Sequence, residues 1–342
     1  MKQDSKIYVA GHIGLVGSSI IRNLKQKGFN NIITRTLNEL DLKRQADTEA
    51  FFEQEKPEYV FLAAAKVGGI LANNTYKAQF IYDNIIIASN VINSAHRSGV
   101  KKLLNLGSSC IYPRLAPQPL KEDFLLTGPL EPTNEPYAIA KISAIKMCRY
   151  YNEEYGTDFV SVMPTNLYGP NDNFNLENSH VLPAILRKIH LAKLYSENNI
   201  DQINKDEEIF GKIPDNIKAG KDKVLLWGTG SPFREFLYSD DLAQACILIM
   251  EKHSAEDIGE FVNIGAGKDA TIKEMAEIVR ETIGFSGNIS WDTSKPDGTP
   301  KKQLDISRIK NLGWEPKVDI KTGIGKFYDW YLEKSGLKTV NR

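Results

Sequence analysis

Cysteine, long apolar runs and a surplus of either charge are what this sequence lacks. Its 342 residues include three cysteines, Cys110, Cys148 and Cys246, which are odd in number and lack the spacing of a metal site. Neither a disulfide framework nor a metal centre is therefore expected. We predict a reduced, cytoplasmic protein.

Membrane and nucleic-acid binders are also disfavoured. No apolar stretch reaches the roughly 18 residues that a membrane-spanning helix needs. The start of the chain, MKQDSKIYVAG, passes from polar residues straight into a strand pattern, so no signal peptide is expected. The 43 basic and 43 acidic side chains give a formal net charge of zero. That balance argues against a partner held by charge, whether a nucleic acid or a membrane surface.

What the sequence does contain is a regular alternation of strand and helix patterns. Buried-strand patterns at residues 6–11, 31–36, 58–65 and 101–109 are separated by helical patterns, and residues 159–170 add another strand that stops at a proline. Such alternation is typical of a parallel sheet with crossover helices. The length favours about two domains. We therefore predict an α/β fold: a Rossmann doubly wound parallel sheet with a smaller C-terminal α/β domain.

Three glycines follow the first strand pattern. Gly11, Gly14 and Gly17 lie between that strand and a helix that should end at Gly28. In a dinucleotide-binding unit, glycines at this place let the backbone approach a pyrophosphate at the helix N-terminus. The spacing is GxxGxxG rather than GxGxxG, and an ordinary tight turn is the alternative interpretation.

The end of the second strand pattern bears on the choice between NAD and NADP. NAD enzymes usually place Asp or Glu there to hold the ribose hydroxyls, whereas a basic residue suits a 2′-phosphate. Arg35 occupies this end, so the sequence favours NADP(H). A solvated arginine is the alternative.

A reductase centre is predicted between residues 104 and 141. An apolar strand pattern delivers Ser108 and Cys110 to a sheet edge, and Tyr137 and Lys141 are four residues apart in a helical pattern. On a helix these two share one face. Ser, Tyr and Lys so arranged can polarise a carbonyl and pass it a proton. The thiol of Cys110 is an extra that a simple reductase would not need.

The second half of the chain is less regular. A helix is predicted over residues 179–195, and the charge-dense segment from Ser196 to Lys223 is predicted to be an exposed excursion. Ser239 with Asp240 has the chemistry of a helix N-cap, and Thr271 is expected to cap a clearly amphipathic helix.

Several blocks occur in the order known from one enzyme family. They are AGHIGLVGS, AAAKVGGILANNTY, GSSCIYP, EPTNEPYAIAK, PTNLYGP, SHVLPA, WGTGSPFREF and SKPDGTPKK, between Ala10 and Lys302. On these blocks the chain resembles the GDP-L-fucose synthases, a family of extended short-chain dehydrogenases/reductases. The resemblance implies an NADPH-dependent 3,5-epimerase/4-reductase acting on GDP-4-keto-6-deoxy-D-mannose.

The resemblance also implies roles for five residues. Tyr137 would protonate O4 as hydride reaches C4, Lys141 would favour the phenolate and hold the cofactor ribose, and Ser108 would hydrogen-bond the ketone oxygen. Cys110 would be the base and His180 the acid that epimerise C3 and C5, whose protons the C4 ketone acidifies. Outside these motifs, Cys110 would more often be a small buried residue and His180 an ordinary loop histidine.

Further binding residues are implied in the same way. Those assigned to NADP(H) are Gly11, Gly14, Leu15, Val16, Gly17, Arg35, Ala63, Ala64, Ala65, Leu106, Lys141, Pro164, Thr165, Asn166, Leu167 and His180. Those assigned to the GDP-sugar are Lys188, Trp227, Arg234, Asp297 and Lys302. Arg234 and Lys302 suit the diphosphate as charge-assisted donors. The resemblance also implies a homodimer. From the residues themselves, Ala63–Ala65 and the glycine pair Gly68 and Gly69 should leave room for a flat cofactor ring.

The implied domain division is discontinuous. The NADP-binding domain would comprise residues 1–168 and about 234–265. The substrate domain, which would hold the GDP-sugar, would comprise about 169–233 and 266–335.

Two departures from the family leave alternatives open. Family members carry arginine where Ile13 and Leu37 stand here, so a relaxed choice between NADP and NAD is plausible. The Ser196–Lys223 segment is also longer than in the shortest family members and belongs beside the substrate domain, so the substrate could instead be a related GDP-ketosugar, of a colitose or 6-deoxy-heptose pathway. A non-catalytic NADP-binding regulator is a third interpretation, since a fold alone does not fix function. The intact set of Ser108, Tyr137 and Lys141 speaks against it.

Overall fold

The computed structural model describes residues 1–218, 223–295 and 297–336. Within these ranges, no helix combines the length and the apolar character needed to cross a membrane.

Twelve strands and thirteen helices occur in the described ranges. The strands are β1 (Ile7–Ala10), β2 (Ile32–Ile33), β3 (Tyr59–Leu62), β4 (Lys102–Leu106), β5 (Phe159–Pro164), β6 (Asn166–Tyr168), β7 (Lys223–Trp227), β8 (Phe233–Tyr238), β9 (Val262–Ile264), β10 (Asp269–Thr271), β11 (Asn288–Asp292) and β12 (Lys301–Lys302). The helices are α1 (Leu15–Gln26), α2 (Gln45–Glu55), α3 (Ile70–Thr75), α4 (Lys77–Arg97), α5 (Glu135–Tyr155), α6 (Val181–Ser196), α7 (Ile200–Phe210), α8 (Asp215–Lys218), α9 (Ser239–Lys252), α10 (Ala255–Ile258), α11 (Ile272–Ile283), α12 (Ser307–Asn311) and α13 (Ile320–Lys334). Short 3₁₀ helices cover Ser109–Ile111 and Glu122–Phe124.

Six strands form one parallel sheet in the spatial order β2-β1-β3-β4-β5-β9. Strands such as β4 and β5 are buried at every residue, as a sheet with helices on both faces requires. The chain goes from β1 to β2 on one side and then to β3 on the other, so the order reverses between β1 and β3. Open parallel sheets bind ligands at the carboxyl ends of their strands at such a reversal. The predicted doubly wound sheet is confirmed.

The other strands form two smaller sheets. β8 pairs antiparallel with β10 and parallel with β6 and β12, while β7 pairs parallel with β11. The fifth strand of the large sheet stops at Pro164 as predicted, because proline has no N–H to continue a ladder. The residues after it form β6, which leaves the large sheet and joins β8. This step carries the chain from one apolar core to the other.

Two large apolar cores support these sheets. One packs around the parallel sheet and includes Val9, Leu104 and Val162. The other lies among α6, α11 and α13 and includes Leu186 and Phe327. Each core fixes one group of strand ends, so residues far apart in sequence can meet where the two groups face each other.

The segment from Ser196 to Lys223 is largely exposed in its described residues, as its charge density predicted, but it is helical and contributes to a buried ion pair. It contains α7 and α8, and Asp206 of α7 is buried against Arg187 of α6. The Arg187 Nε donates to the Asp206 carboxylate at 2.8 Å, with the two side chains 0% and 1% exposed. The Tyr331 hydroxyl donates to the same carboxylate. The charge density gave no sign that one of its acids would be paired in the interior. Residues 219–222 lie outside the described ranges.

Replacing Asp206 by alanine is expected to lower the free energy of unfolding by about 3–5 kcal/mol, because the Arg187 guanidinium then stays buried without its counter-charge. Urea denaturation at neutral pH measures this. Glu208→Ala, at an exposed position of the same helix, is the matched control and should change stability by no more than about 0.5 kcal/mol. Equal effects of the two substitutions would contradict a stabilising role for the buried pair.

One helix cap was predicted correctly and the other was not. The Thr271 hydroxyl accepts from the Glu274 N–H, and the Glu274 carboxylate accepts in return from Thr271, so α11 has a full capping box. Ser239, by contrast, is already the first residue of α9 and caps nothing. The carboxylate of Asp240 accepts from Arg22 Nη2 of α1 at 2.7 Å. That carboxylate therefore joins two helices instead of capping one.

Candidate active site

One cavity gathers four of the five predicted catalytic residues and all the residues assigned to the GDP-sugar. Its volume is about 380 Å³, within the usual range for small-molecule sites. It lies where the carboxyl end of β4 and the start of α5 face α6, β8 and β12. Its lining includes Ser108, Cys110, Tyr137, Asn166 and His180, together with all five residues assigned to the GDP-sugar, namely Lys188, Trp227, Arg234, Asp297 and Lys302.

Local sequence explains how Ser108 and Cys110 reach the cavity. β4 ends at Leu106, and a Cβ on Gly107 would lie 1.9 Å from the Met163 methyl carbon, so a larger residue there would require the Met163 side chain to move. The chain then turns into a 3₁₀ helix whose N-cap is Ser108. Its hydroxyl accepts from the Cys110 N–H at 3.4 Å. The turn places a hydroxyl and a thiol two residues apart on the cavity wall.

Tyr137 and Lys141 lie one turn apart on α5, as predicted. The Lys141 Nζ is 5.7 Å from the centre of the Tyr137 ring, and it donates to the Leu106 carbonyl at 2.8 Å. That bond ties α5 to the end of β4. Ser108 and Tyr137 line the same cavity, and Ser108 acts to lower the pKa of the Tyr137 phenol. The predicted Ser, Tyr and Lys group is therefore brought together.

The charge states of this group differ from the expectation. Burial raises the pKa of the Tyr137 phenol, and the nearby Cys110 raises it further, while Ser108 acts in the opposite direction. Lys141 was expected to favour the phenolate, but loss of water outweighs any such effect here. Burial also lowers the pKa of Lys141 to about 8, opposed by Cys110. A neutral phenol beside a lysine that is mostly charged at pH 7 is suited to giving up a proton.

Cys110 and His180 line the same cavity although 70 residues separate them in sequence. Burial raises the pKa of the Cys110 thiol, while Lys302, Ser108 and Lys141 act in the opposite direction. His180 is the N-cap residue of α6. Loss of water around its ring lowers the pKa of His180, and Lys302 lowers it further. The two groups are placed to exchange protons with one ligand.

The glycine pair after β3 lies close to neighbouring backbone and side chains. The Gly69 N–H donates to the Asn178 carbonyl at 3.1 Å, and a Cβ on Gly69 would lie 2.9 Å from the Ser179 carbonyl oxygen. A Cβ on Gly68 would meet Ala72 and Phe80. Gly69 thus allows a close approach to the loop that carries His180, and both glycines also line the cavity.

The glycine turn after β1 fits a dinucleotide. A Cβ on Gly17 would lie 2.2 Å from the Gly11 carbonyl oxygen, and one on Gly11 would lie 2.7 Å from the Ala64 nitrogen. At Gly14, by contrast, the nearest atom would be 3.6 Å away. Gly14 is the N-cap of α1, and no side chain caps this helix. Its first N–H groups can therefore bind a diphosphate.

The other residues assigned to the cofactor lie at the same edge of the sheet. Ala63–Ala65 follow β3, Leu106 ends β4, and residues 164–167 follow β5. The carboxyl ends of parallel strands meet at one edge, next to the reversal between β1 and β3. These residues could therefore hold one extended ligand that starts at the turn after β1.

Arg35 is present at the predicted place but is already paired. Its Nη2 donates to Glu55 at 2.6 Å and its Nη1 donates to the Thr34 carbonyl at 2.8 Å. Lys6 also pairs with Glu55, at 2.9 Å, so the cluster keeps a net positive charge. Ile13 and Leu37 are both 69% exposed and bring no charge. A 2′-phosphate would therefore depend on Arg35 alone among these positions.

The residues assigned to the GDP-sugar have three different surroundings. The Lys188 Nζ lies 5.2 Å from the centre of the Trp227 ring, and burial lowers the pKa of Lys188 to about 8. Asp297 mainly closes a turn, since its carboxylate accepts from the Thr229 N–H and hydroxyl, each at 2.7 Å. Arg234 and Lys302 lie side by side on paired strands.

Several cavity residues were not predicted. Glu131, Thr133 and Asn134 line the wall just before α5, and the EPTNEPY block that contains them could have indicated this. Trp291 of β11 also lines the cavity, and a Cβ on Gly230 would lie 2.7 Å from its ring. Nothing in the pattern of β11 indicated that its tryptophan faces a ligand site.

Residues 7–265 match a family described as the NAD dependent epimerase/dehydratase family. The chain belongs to this family. It is 55% identical to GDP-L-fucose synthase 1 of Arabidopsis thaliana, over 97% of this chain and 94% of that protein. It is 47% identical to GDP-L-fucose synthase of Escherichia coli strain K12, over 96% and 97% of the two chains.

A solved structure is similar to this chain along nearly the whole length of both. It is a GDP-mannoheptose C4 reductase from Campylobacter jejuni with NADP bound, 42% identical, with a TM-score of 0.86. The match covers 97% of this chain and 99% of that one. The predicted family resemblance and the Rossmann-type fold are both confirmed.

Proposed function

We propose that this protein is a bifunctional 3,5-epimerase and NADPH-dependent 4-reductase that converts GDP-4-keto-6-deoxy-D-mannose to GDP-L-fucose. One observation carries the proposal: Cys110 and His180 line the same cavity as the pair Ser108 and Tyr137. A plain reductase needs the second pair only. The names of the relatives that are 47–55% identical support the same substrate.

Epimerisation would use the thiol and the imidazole. The C4 ketone makes the protons on C3 and C5 acidic, and the Cys110 thiolate would remove one of them. The electron pair moves onto O4, which Ser108 and Tyr137 stabilise by hydrogen bonds. His180 would then deliver a proton to the opposite face of the carbon, which inverts it. Solvent exchange restores both groups before the second carbon reacts.

Reduction would use the same ketone. NADPH, when bound, supplies the hydride that reaches C4. The Tyr137 phenol would donate its proton to O4, and Ser108 would hold that oxygen in place. The Lys141 ammonium, fixed by the Leu106 carbonyl, would stabilise the phenolate that remains. Reduction removes the ketone, so it must follow both epimerisations.

The two parts of the chain would divide the binding. We propose that residues 1–168 and about 234–265 hold NADP(H), with the diphosphate at the N-terminus of α1. Residues of about 169–233 and 266–335 would hold the GDP-sugar, with Trp227 as an aromatic wall. Arg234, at the boundary between the two parts, would lie next to the diphosphate of the GDP-sugar. The Asp297 carboxylate would shape this wall through its turn. We also assign the protein to the cytoplasm.

The preference for NADPH is expected to depend on Arg35. Arg35→Ala should weaken NADPH binding about 10- to 100-fold, because one charge-assisted contact is worth about 1.5–3 kcal/mol, while NADH binding should stay unchanged. Quenching of protein fluorescence by each cofactor gives the two dissociation constants. Lys56→Ala, which removes an exposed cation beyond α2, is the control. Equal weakening of NADPH and NADH would show that Arg35 only supports the fold.

A second candidate function is the reduction of a GDP-ketoheptose without epimerisation. It is favoured by the 42% identical relative described as a GDP-mannoheptose C4 reductase. Cys110 and His180 would then be unused in the reaction. A GDP-colitose pathway remains a further variant of the same chemistry. The non-catalytic regulator is disfavoured by the assembled Ser108, Tyr137 and Lys141.

Product analysis tests the proposal. Purified protein with GDP-4-keto-6-deoxy-D-mannose and NADPH should oxidise the cofactor, and NMR should identify the product as GDP-L-fucose. In D₂O without NADPH, deuterium should enter C3 and C5. Turnover of a GDP-ketoheptose but not of the hexose would replace the assignment by the second candidate. Reduction without deuterium entry would remove the epimerase function.

A homodimer through α4 and α5 is also proposed. These two helices pack against each other, and their outer face exposes Tyr82, Ile139 and Tyr150. Ile139 and Tyr150 are eleven residues apart, which places them on one side of α5. Light scattering should give twice the chain mass, and Ile139→Glu with Tyr150→Glu should give the monomer. A monomeric parent protein would contradict the proposal.

A further inference from the structure

Lys302 is a cation of the cavity that has no counter-charge. It lines the same wall as Cys110 and His180. Within the described part of the chain, its ammonium has no hydrogen-bond or ion-pair partner. The adjacent lysine of the same strand differs, since the Lys301 Nζ pairs with Asp269 at 3.1 Å. Successive side chains of β12 alternate in direction, so Lys301 pairs with a carboxylate while Lys302 lines the cavity.

The strand that carries Lys302 is firmly held. The Leu120 N–H donates to the Gln303 carbonyl at 2.8 Å, and the Asp305 N–H donates back to the Leu120 carbonyl at 2.8 Å. The Leu304 N–H donates to the buried Glu235 carboxylate at 2.8 Å. Leu120 belongs to the segment that follows Cys110 in the chain. These bonds fix the backbone of the strand, and with it the place on the cavity wall from which the Lys302 side chain extends.

The ammonium acts on both groups that would epimerise the sugar. Among the influences that favour the Cys110 thiolate, the charge of Lys302 is the largest, ahead of the hydrogen bond with Ser108 and the charge of Lys141. Lys302 is also the one charged group that lowers the pKa of His180, in addition to loss of water. Burial lowers the pKa of Lys302 itself, Cys110 raises it in return, and Arg234 on the neighbouring strand lowers it further, so the charge of Lys302 is coupled to that of the thiol. Acid and base are thus both tuned by one residue.

We propose that Lys302 is a positioning residue for proton transfer: from the cavity wall, its ammonium stabilises the Cys110 thiolate and makes the His180 imidazolium a stronger acid. This inference rests on the epimerase roles proposed above for Cys110 and His180. In each inversion one proton passes from the sugar carbon to sulfur and another passes from the imidazolium to the opposite face. A nearby cation favours both transfers, since it stabilises the thiolate before the step and the neutral imidazole after it.

A simpler role must be separated from this one. Lysine is also suited to bind the substrate diphosphate, and the resemblance to the family implied that role. A pure diphosphate ligand would affect GDP affinity without affecting the thiol of the empty enzyme. The protonation of Cys110 in the absence of any ligand therefore distinguishes the two roles.

The test measures the rate at which iodoacetamide alkylates Cys110 in the ligand-free enzyme as the pH is varied. Cys148 and Cys246 are buried in the two faces of the main core, and peptide mass spectrometry assigns the label. Lys302→Met should raise the apparent pKa of the alkylation profile by about one unit and slow the reaction at neutral pH about tenfold. Lys302→Arg keeps the charge and should restore the parent profile.

Lys301→Met is the matched control, because it removes the same charge from the neighbouring residue outside the cavity. Its profile should equal that of the parent protein. A Lys302→Met profile equal to the parent profile, together with weaker GDP binding, would overturn the proposal and leave a diphosphate ligand. Lys302→Gln replaces Lys302→Met if the latter has a lowered melting temperature.

The alkylation profile does not depend on which sugar is the substrate. Deuterium entry at C3 and C5 is measured separately for the parent protein and for Lys302→Met. A parent protein that exchanges no deuterium would defeat the proposed epimerase function, whatever its alkylation profile. A parent protein that exchanges deuterium, with Lys302→Met exchanging equally fast, would defeat the role of Lys302 alone.

Discussion

Tyr137→Phe should reduce the rate of ketosugar reduction by about 10²- to 10⁴-fold, while deuterium still enters C3 and C5 of the substrate. The factor is that of a general acid removed from its place. Burial keeps the Tyr137 phenol neutral by raising its pKa, so the proton that O4 needs is present before hydride arrives. Phenylalanine keeps the ring against Phe80, with the centres 6.1 Å apart, and removes only the hydroxyl.

Steady-state oxidation of NADPH and NMR of the recovered sugar measure the two activities of this variant. Tyr150→Phe removes an exposed hydroxyl from the same helix and should change neither activity. A reduction rate within tenfold of the parent value would mean that another donor, such as water, protonates O4. Loss of both activities in equal proportion would mean that the hydroxyl acts in binding the ketone.

Cys110→Ser is expected to have the opposite effect. Deuterium entry at C3 and C5 should fall by about 10²- to 10⁴-fold, because a serine hydroxyl stays protonated at neutral pH and cannot serve as the base. Reduction of the 4-ketone should persist, since Ser108, Tyr137 and Lys141 are intact. The product should then be a GDP-6-deoxyhexose whose C3 and C5 are not inverted. The Ser108 hydroxyl, which accepts from the N–H of residue 110, keeps the turn in place.

NMR of the reduced product tests this separation most directly. Cys148→Ser is the control, since the Cys148 thiol already hydrogen-bonds with Ser161 and lies away from the cavity. Inverted carbons in the product of the Cys110 variant would show that another residue is the base. A variant that neither epimerises nor reduces would show that reduction requires the epimerised ketone.

Features that depend on neighbouring residues were the most predictable. The Thr271 cap was correct because both partners of the capping box lie within four residues. Tyr137 and Lys141 were placed on one face because helical spacing alone brings them together. The alternation of strand and helix patterns also predicted the parallel sheet, since apolar residues recur with a different period in strands and in helices. The close approach of Gly17 to Gly11 is also a local feature, because the two residues are the ends of one seven-residue segment.

Features that depend on distant partners were predicted poorly. The charge pattern of residues 196–223 gave no sign that Asp206 would be buried with Arg187 and Tyr331. The Arg35 side chain was considered as a phosphate ligand or a solvated charge, and its pairing with Glu55 was not foreseen. In each case an acid elsewhere in the chain satisfies the cation, and sequence spacing does not show which acid that is.

The sequence by itself determined the class of fold, the glycine turn and the family resemblance, together with the list of groups able to move protons. These are properties of residue type and short-range spacing. Only the tertiary structure decided that Cys110, His180 and Lys302, from a strand end, a helix start and a late short strand, line one cavity. It also decided their charge states, because loss of water and the position of one ammonium group set the pKa of a thiol or an imidazole. Neither quantity exists until the chain has folded.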